Sequence, residues 1–128
     1  MQRQLYVTSK KFKEGRILIG ILTEIATDDY RFEYKLDGKA QQWHLPLREF
    51  PDVTKTYEGA DVERFINRVV PRRDSVNIKL ALESANLTEY DTWEMLKVYG
   101  LRNMKDDAFL FENLPEGVVM YEQVALPV

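Results

Sequence analysis

One imidazole and no thiol bound the chemistry that this chain of 128 residues can perform. A hydrolytic triad needs a nucleophile beside a base that a third group orients. His44 is the single imidazole that could serve as that base. It stands in Trp43-His44-Leu45-Pro46, an apolar setting that reads as a structural or surface histidine. Zinc selects clustered Cys and His ligands, and no such cluster occurs. Calcium loops need oxygen ligands at alternating positions closed by a glutamate. Asp28-Asp29 and Asp106-Asp107 are isolated pairs in turn-like settings and read as solvated turn carboxylates. No two of the six glycines lie within four residues of each other, so neither a P-loop nor a dinucleotide fingerprint can be drawn. The lysine, catalytic Asp and Asn, and metal-binding Asp of a kinase core cannot be placed either. The expectation is a chain with no catalytic residue, no cofactor and no metal, and so not an enzyme.

What remains is binding chemistry. Lys10, Lys11, Lys13 and Arg16 gather in one stretch, and Arg68, Arg72 and Arg73 in another. Lysines keep loops soluble, and cations near a helix C-terminus gain about 0.3–1 kcal/mol from its dipole. The functional reading is contact with an acidic partner or a phosphate backbone through forked arginine hydrogen bonds. Trp43 reads as core or as an interface anchor. Trp43, Arg68, Arg72 and Arg73 are therefore the candidate partner-binding residues.

The elements that would position them change in kind along the chain. Gln4 to Thr8 reads as a short strand, Ser9 to Gly15 as a basic loop, and Arg16 to Thr23 as a central strand dense in isoleucine and leucine. Asp28-Asp29 marks a turn. Tyr30, Phe32 and Tyr34 then alternate with Arg31, Glu33 and Lys35, which predicts a half-buried antiparallel strand. Asp37-Gly38 is a further turn, and Trp43 to Leu47 a fourth short strand. Val62, Phe65, Ile66 and Val69 form one helical stripe, with Asp61 as its expected cap and Pro71 as its stop. Asn67 is expected to hold the end of that helix through side-chain-to-backbone bonds. A second helix is expected from Asp74 or Ser75, with Ile78, Leu82 and Ala85 inward and Asn86 as its C-terminal cap. Asp91 with Glu94 predicts the start of a third, with Trp93, Leu96 and Tyr99 on one side. Gly100 is expected as its left-handed cap, with Leu101 as the accompanying hydrophobic contact. Ala108 to Glu112 reads as a strand with Phe109 and Phe111 on the core side, and Val118 to Glu122 as its return. Phe32, Tyr34, Phe65, Phe109 and Phe111 are all expected in the core.

Strands, then helices, then a hairpin make an α+β fold: an antiparallel sheet with about three helices packed on one face. A single domain over residues 1–128 is expected, since no linker, repeat or low-complexity tract interrupts the chain. At 45% hydrophobic and 30% charged it can bury a core without a disulfide. The formal net charge of −3 argues against a dedicated nucleic-acid binder. Absence of cysteine, of a leader and of a long apolar run makes the expected location cytoplasmic, with no membrane partner.

Several segments, in order, resemble the small N-terminal domain that precedes the kinase core in HipA-type toxins. Ile19-Gly20-Ile21-Leu22-Thr23 is similar to that family's second strand and Tyr30-Arg31-Phe32-Glu33-Tyr34 to its third. Leu45-Pro46-Leu47 looks like its LPL segment, and Phe65-Ile66-Asn67-Arg68-Val69-Val70-Pro71 resembles its first helix end. Trp93-Glu94-Met95-Leu96 through Gly100 looks like a later helix, and Ala108 to Glu112 like the closing strand. The likeness spans about residues 5 to 115. Arg68 stands where the kinases usually have leucine, and Arg72-Arg73 follows Pro71. That arginine form looks more like the branch that precedes HIRAN domains. The resemblance implies an accessory lobe that packs on a kinase and helps contact its helix-turn-helix partner. A chain made of this lobe alone would fit split systems, in which it binds a HipA-type serine/threonine kinase as an antitoxin. The HIRAN-associated branch implies the alternative of a nucleic-acid-binding accessory protein.

Overall fold

The structure is a computed structural model that describes residues 2–12, 15–35, 47–102 and 108–113. The alternating aromatics build β3 (Asp29–Tyr34), which buries Tyr30 and Phe32 and leaves Arg31 and Glu33 partly exposed. A tight turn at Thr27-Asp28 joins it to β2 (Gly15–Ala26), so the turn centres one residue before the expected pair. Asp28 carries it at φ 56°, a left-handed conformation that Asp adopts more readily than most residues. β1 (Gln4–Phe12) pairs with β2 as far as Phe12 opposite Gly15. The expected basic loop from Ser9 is thus mostly strand: Lys10 and Lys11 lie in β1 and Arg16 in β2. Lysines alternate along a strand as readily as they fill a loop, so composition alone misplaced this boundary.

The remaining strands flank these three. β4 (Thr56–Glu58) joins the outer edge of β3, and β5 (Ala108–Phe111) joins β1. All neighbours are antiparallel, in the order β4-β3-β2-β1-β5. A three-residue strand is too short for a period-two signal, which is why β4 was not foreseen. The expected strand at Trp43 to Leu47 lies outside the described residues except for Leu47, which is in no strand. The expected return strand at Val118 to Glu122 also lies outside them. In β5 the phase is opposite to expectation. Ala108 and Leu110 are buried in the core, and Phe109 and Phe111 are half-buried on the other side.

Among the described residues three helices follow: α1 (Ala60–Val69), α2 (Ile78–Ser84) and α3 (Thr92–Tyr99). Val62, Phe65, Ile66 and Val69 are the buried stripe of α1, as the spacing predicts. Each such side chain contributes about 1.5–3 kcal/mol by leaving water. The cap differs from expectation. Gly59 occupies it with φ 65° and ψ −133°, a backbone shape close to glycine-only. Asp61 sits instead in the first turn, where it favours the helix dipole and pairs with Arg64. The second helix begins at Ile78, later than expected, because turns at Arg72–Ser75 and Ser75–Ile78 use up the preceding residues. Its end is as predicted: Asn86 is left-handed at φ 63°, and Leu87 N–H returns to Leu82 O.

At α3 the Asp91 carboxylate accepts from Glu94 N–H at 3.1 Å, the predicted cap. Trp93 and Leu96 are buried, and Tyr99 packs against the core. Gly100 is not left-handed; its φ is −61°. It is needed for a different reason. A Cβ there would stand 2.5 Å from Leu96 O and 2.7 Å from Leu110 Cβ, so only glycine lets β5 come this close. Leu101, expected to close the cap, is 50% exposed.

The core lies between one sheet face and the helices, with Phe50 at its aromatic centre. Phe50 stacks on Phe32 at 4.4 Å between ring centroids and meets Phe65 at 5.2 Å and Tyr57 at 5.0 Å. Tyrosine hydroxyls tie the irregular connections to this frame. Tyr34 donates to Phe50 O at 2.7 Å and accepts from Leu47 N–H at 2.9 Å. Tyr57 does the same at Asp52, Tyr90 donates to Pro71 O, and Tyr99 donates to Ala81 O.

Candidate partner-binding site

The arginines expected to act together are split by the fold into one internal and two external groups. Arg68, in the last turn of α1, turns toward the segment before β4. Its Nε and Nη2 donate to the two carboxylate oxygens of Glu49 at 2.6 and 2.5 Å. The Glu49 side chain is 7% exposed and that of Arg68 20%. Burial alone would push the Glu49 carboxyl up. The hydrogen bonds and charge of Arg68 outweigh it and hold Glu49 below the usual carboxylate range. Arg68, expected at the partner surface, is therefore committed to an internal ion pair. Nineteen residues separate the two partners, so no local pattern could have announced it.

Arg72 and Arg73 are outward, with side chains 63% and 64% exposed. Pro71 ends α1, and the turn after it carries both arginines to the rim of a cavity of about 560 Å³. Arg72 Nε lies 3.3 Å from Asp74 Oδ1. Arg73 Nη2 lies 3.7 Å from Asp28 Oδ2, and its guanidinium sits 4.8 Å from the centre of the Tyr90 ring. Pairs this exposed contribute about 0–1 kcal/mol, so either arginine can exchange its carboxylate for a partner's at little cost. Tyr90 is the fixed wall of the site. Burial, only partly offset by Arg73, pushes its hydroxyl up, and it stays a neutral donor to Pro71 O at 2.8 Å.

Asp29, Glu63 and Asn67 complete the lining that matters here. Asn67 is exposed on this wall, and the helix end is closed by the backbone, Val70 N–H to Ile66 O at 2.9 Å. The expected capping role of Asn67 thus falls to the main chain. Asp28 is an exposed turn carboxylate, as anticipated, with Arg73 as its neighbour. Tyr90 went unremarked in the sequence because it lies outside any periodic stretch, just before the Asp91 cap. Trp43, His44, Lys13 and the Asp106-Asp107 pair lie outside the described residues. Among the described residues no group of three or more His, Cys, Asp or Glu side chains could hold a metal ion. Nor is any helix among them long and apolar enough to cross a membrane.

Chemically, this site can exchange ion pairs, stack a planar cation or amide on Tyr90, and offer the Asn67 amide. Compared with family models, with curated proteins and with solved structures, the chain finds no match in any of the three.

Proposed function

We propose that this chain is a non-catalytic protein-interaction module of antitoxin type, which binds and restrains a HipA-type serine/threonine kinase. One observation carries the reading. Segments that resemble successive parts of the kinases' N-terminal lobe fall, in order, on β2, β3, the end of α1, α3 and β5 around one shared core. A module of this kind would act sterically, by occluding the kinase cleft or holding its lobes apart. Arg72 and Arg73 are the described contact candidates, with Trp43 a further one from the sequence. Arg68 supports the same surface from beneath by fixing the end of α1.

The nucleic-acid alternative has less in its favour. Asp28, Asp29, Glu63 and Asp74 line the same cavity as the two arginines, so a phosphate there would meet more repulsion than attraction. Co-expression with a HipA-type kinase encoded beside its gene tests the proposal. Restored growth is expected. Toxicity that persists while the chain is soluble and abundant would contradict it.

A further inference from the structure

Residues 70–77, between α1 and α2, lie in no helix or strand. They carry Arg72, Arg73, Asp74, Ser75 and Val76 in succession. Both arginines are outward, and Val76 is 97% exposed, so it adds nothing to the core. Net charge does not single out this stretch. Asp74 and Asp28 match the two arginines, and Glu83 matches Lys79. Order along the chain does single it out: Ser75 has arginine three and two residues before it and an apolar side chain directly after. No other serine or threonine in the chain has arginine at either of those distances.

A protein kinase must bring its acceptor hydroxyl into line with the γ-phosphate of ATP, so the hydroxyl has to come on a segment that can leave the fold. Selection among hydroxyls then falls to the flanking side chains. Arginine before the acceptor suits carboxylates on the enzyme, through forked hydrogen bonds, and an open apolar side chain after it suits a dry pocket. Residues 72–76 meet each need. Two backbone bonds hold their turns, Ser75 N–H to Arg72 O at 3.0 Å and Ile78 N–H to Ser75 O at 3.2 Å. Ser75 is half-buried, and its Oγ accepts a long bond from Asn77 N–H at 3.4 Å. The pairs of Arg72 with Asp74 and of Arg73 with Asp28 are exposed and open at little cost. Presenting Ser75 therefore takes the opening of these turns, which lie outside the buried core.

We infer that Ser75 is a phosphorylation site for an arginine-directed serine/threonine kinase. Its Oγ attacks the γ-phosphorus of ATP, its proton passes to the enzyme's catalytic carboxylate, and the bond to the β–γ bridging oxygen breaks to release ADP. The product adds about 1.5–2 negative charges at pH 7 next to the two arginines, where its oxygens compete for them with Asp74 and Asp28. The site stands apart from the reading above: no outcome below bears on whether this chain restrains a HipA-type kinase.

The probe is ATP with the catalytic subunit of cyclic-AMP-dependent protein kinase, an arginine-directed enzyme. The folded full chain should take up a single phosphoryl group, and fragment mass spectrometry should place it on Ser75. Ser75→Ala should abolish the transfer and Ser75→Thr should keep it. Arg72→Ala with Arg73→Ala, and separately Val76→Asp, should slow it about tenfold or more. Unchanged thermal unfolding of these variants is expected and separates a lost acceptor from a lost fold. The same fragment, taken from the cells that make the protein, should carry the group on part of the chains. No transfer, transfer to another hydroxyl, equal rates with the double arginine variant, or an unmodified Ser75 in cells during both growth and starvation would overturn the inference.

Discussion

Arg68 and Glu49 set the energetic stakes for a single side chain. A forked, half-enclosed ion pair costs desolvation on both sides, and its net value over an apolar pair is small. Breaking it is another matter, because the surviving charge keeps its burial and loses its partner. Arg68→Met should therefore destabilise the fold by about 3–5 kcal/mol at pH 7. Arg68→Met combined with Glu49→Leu should recover most of that loss. The pH dependence has a definite sign. The folded Glu49 carboxyl lies below its unfolded value, so the pair's contribution is full above about pH 4.3 and is lost as the pH falls through the folded value. In Arg68→Met the burial of Glu49 is opposed only by the weaker pull of its own backbone N–H and of Arg48, and protonation relieves it. The stability gap between the two proteins should thus be wide at neutral pH and narrow in acid. Urea unfolding at pH 7 and near pH 3.5 measures it; a gap independent of pH would contradict the assignment.

For elements, the decisive feature is how irregular chain is fastened to regular chain. The hydroxyl of Tyr34 serves Phe50 O and Leu47 N–H together, and so holds Phe50 in the aromatic stack. Burial is the main reason its hydroxyl is pushed up to about 12, which keeps it a neutral donor across the physiological range. Tyr34→Phe leaves both backbone groups short of a partner and should cost about 1–3 kcal/mol. Thermal unfolding reads this directly, and an unchanged midpoint would mean that water replaces the hydroxyl freely. The periodic elements were legible in sequence because burial on one side imposes a spacing. β3 and the stripe of α1 carried that mark, and the start of α3 was legible from the hydrogen-bonding pair of Asp91 and Glu94. What could not be read was set by contacts between distant residues. Phe50 lies in no repeat, the Glu49–Arg68 pair spans nineteen positions, and Gly100 is dictated by the approach of Leu110. The phase of β5 was misjudged because two phenylalanines were weighed above Ala108 and Leu110, which are the buried pair.

At the scale of the whole molecule, the described sheet, helices and shared core form a frame with a cavity between the β2–β3 turn and the segment after α1, lined by Arg72, Arg73 and Tyr90. Of the candidate site residues, Arg72 and Arg73 were readable as a surface pair because they follow a helix-ending proline. Arg68 belonged to the same sequence cluster and was turned inward by the geometry of one helical turn. On the proposed reading, the two exposed arginines, paired here with the exposed carboxylates of Asp28 and Asp74, are the groups that would meet the partner. Calorimetric titration of the purified chain with a HipA-type kinase encoded beside its gene, with phosphotransfer followed in parallel, tests this most directly. A saturable one-to-one complex with suppressed phosphotransfer is the predicted result. Absence of heat and an unimpeded kinase, with both proteins folded, would contradict it.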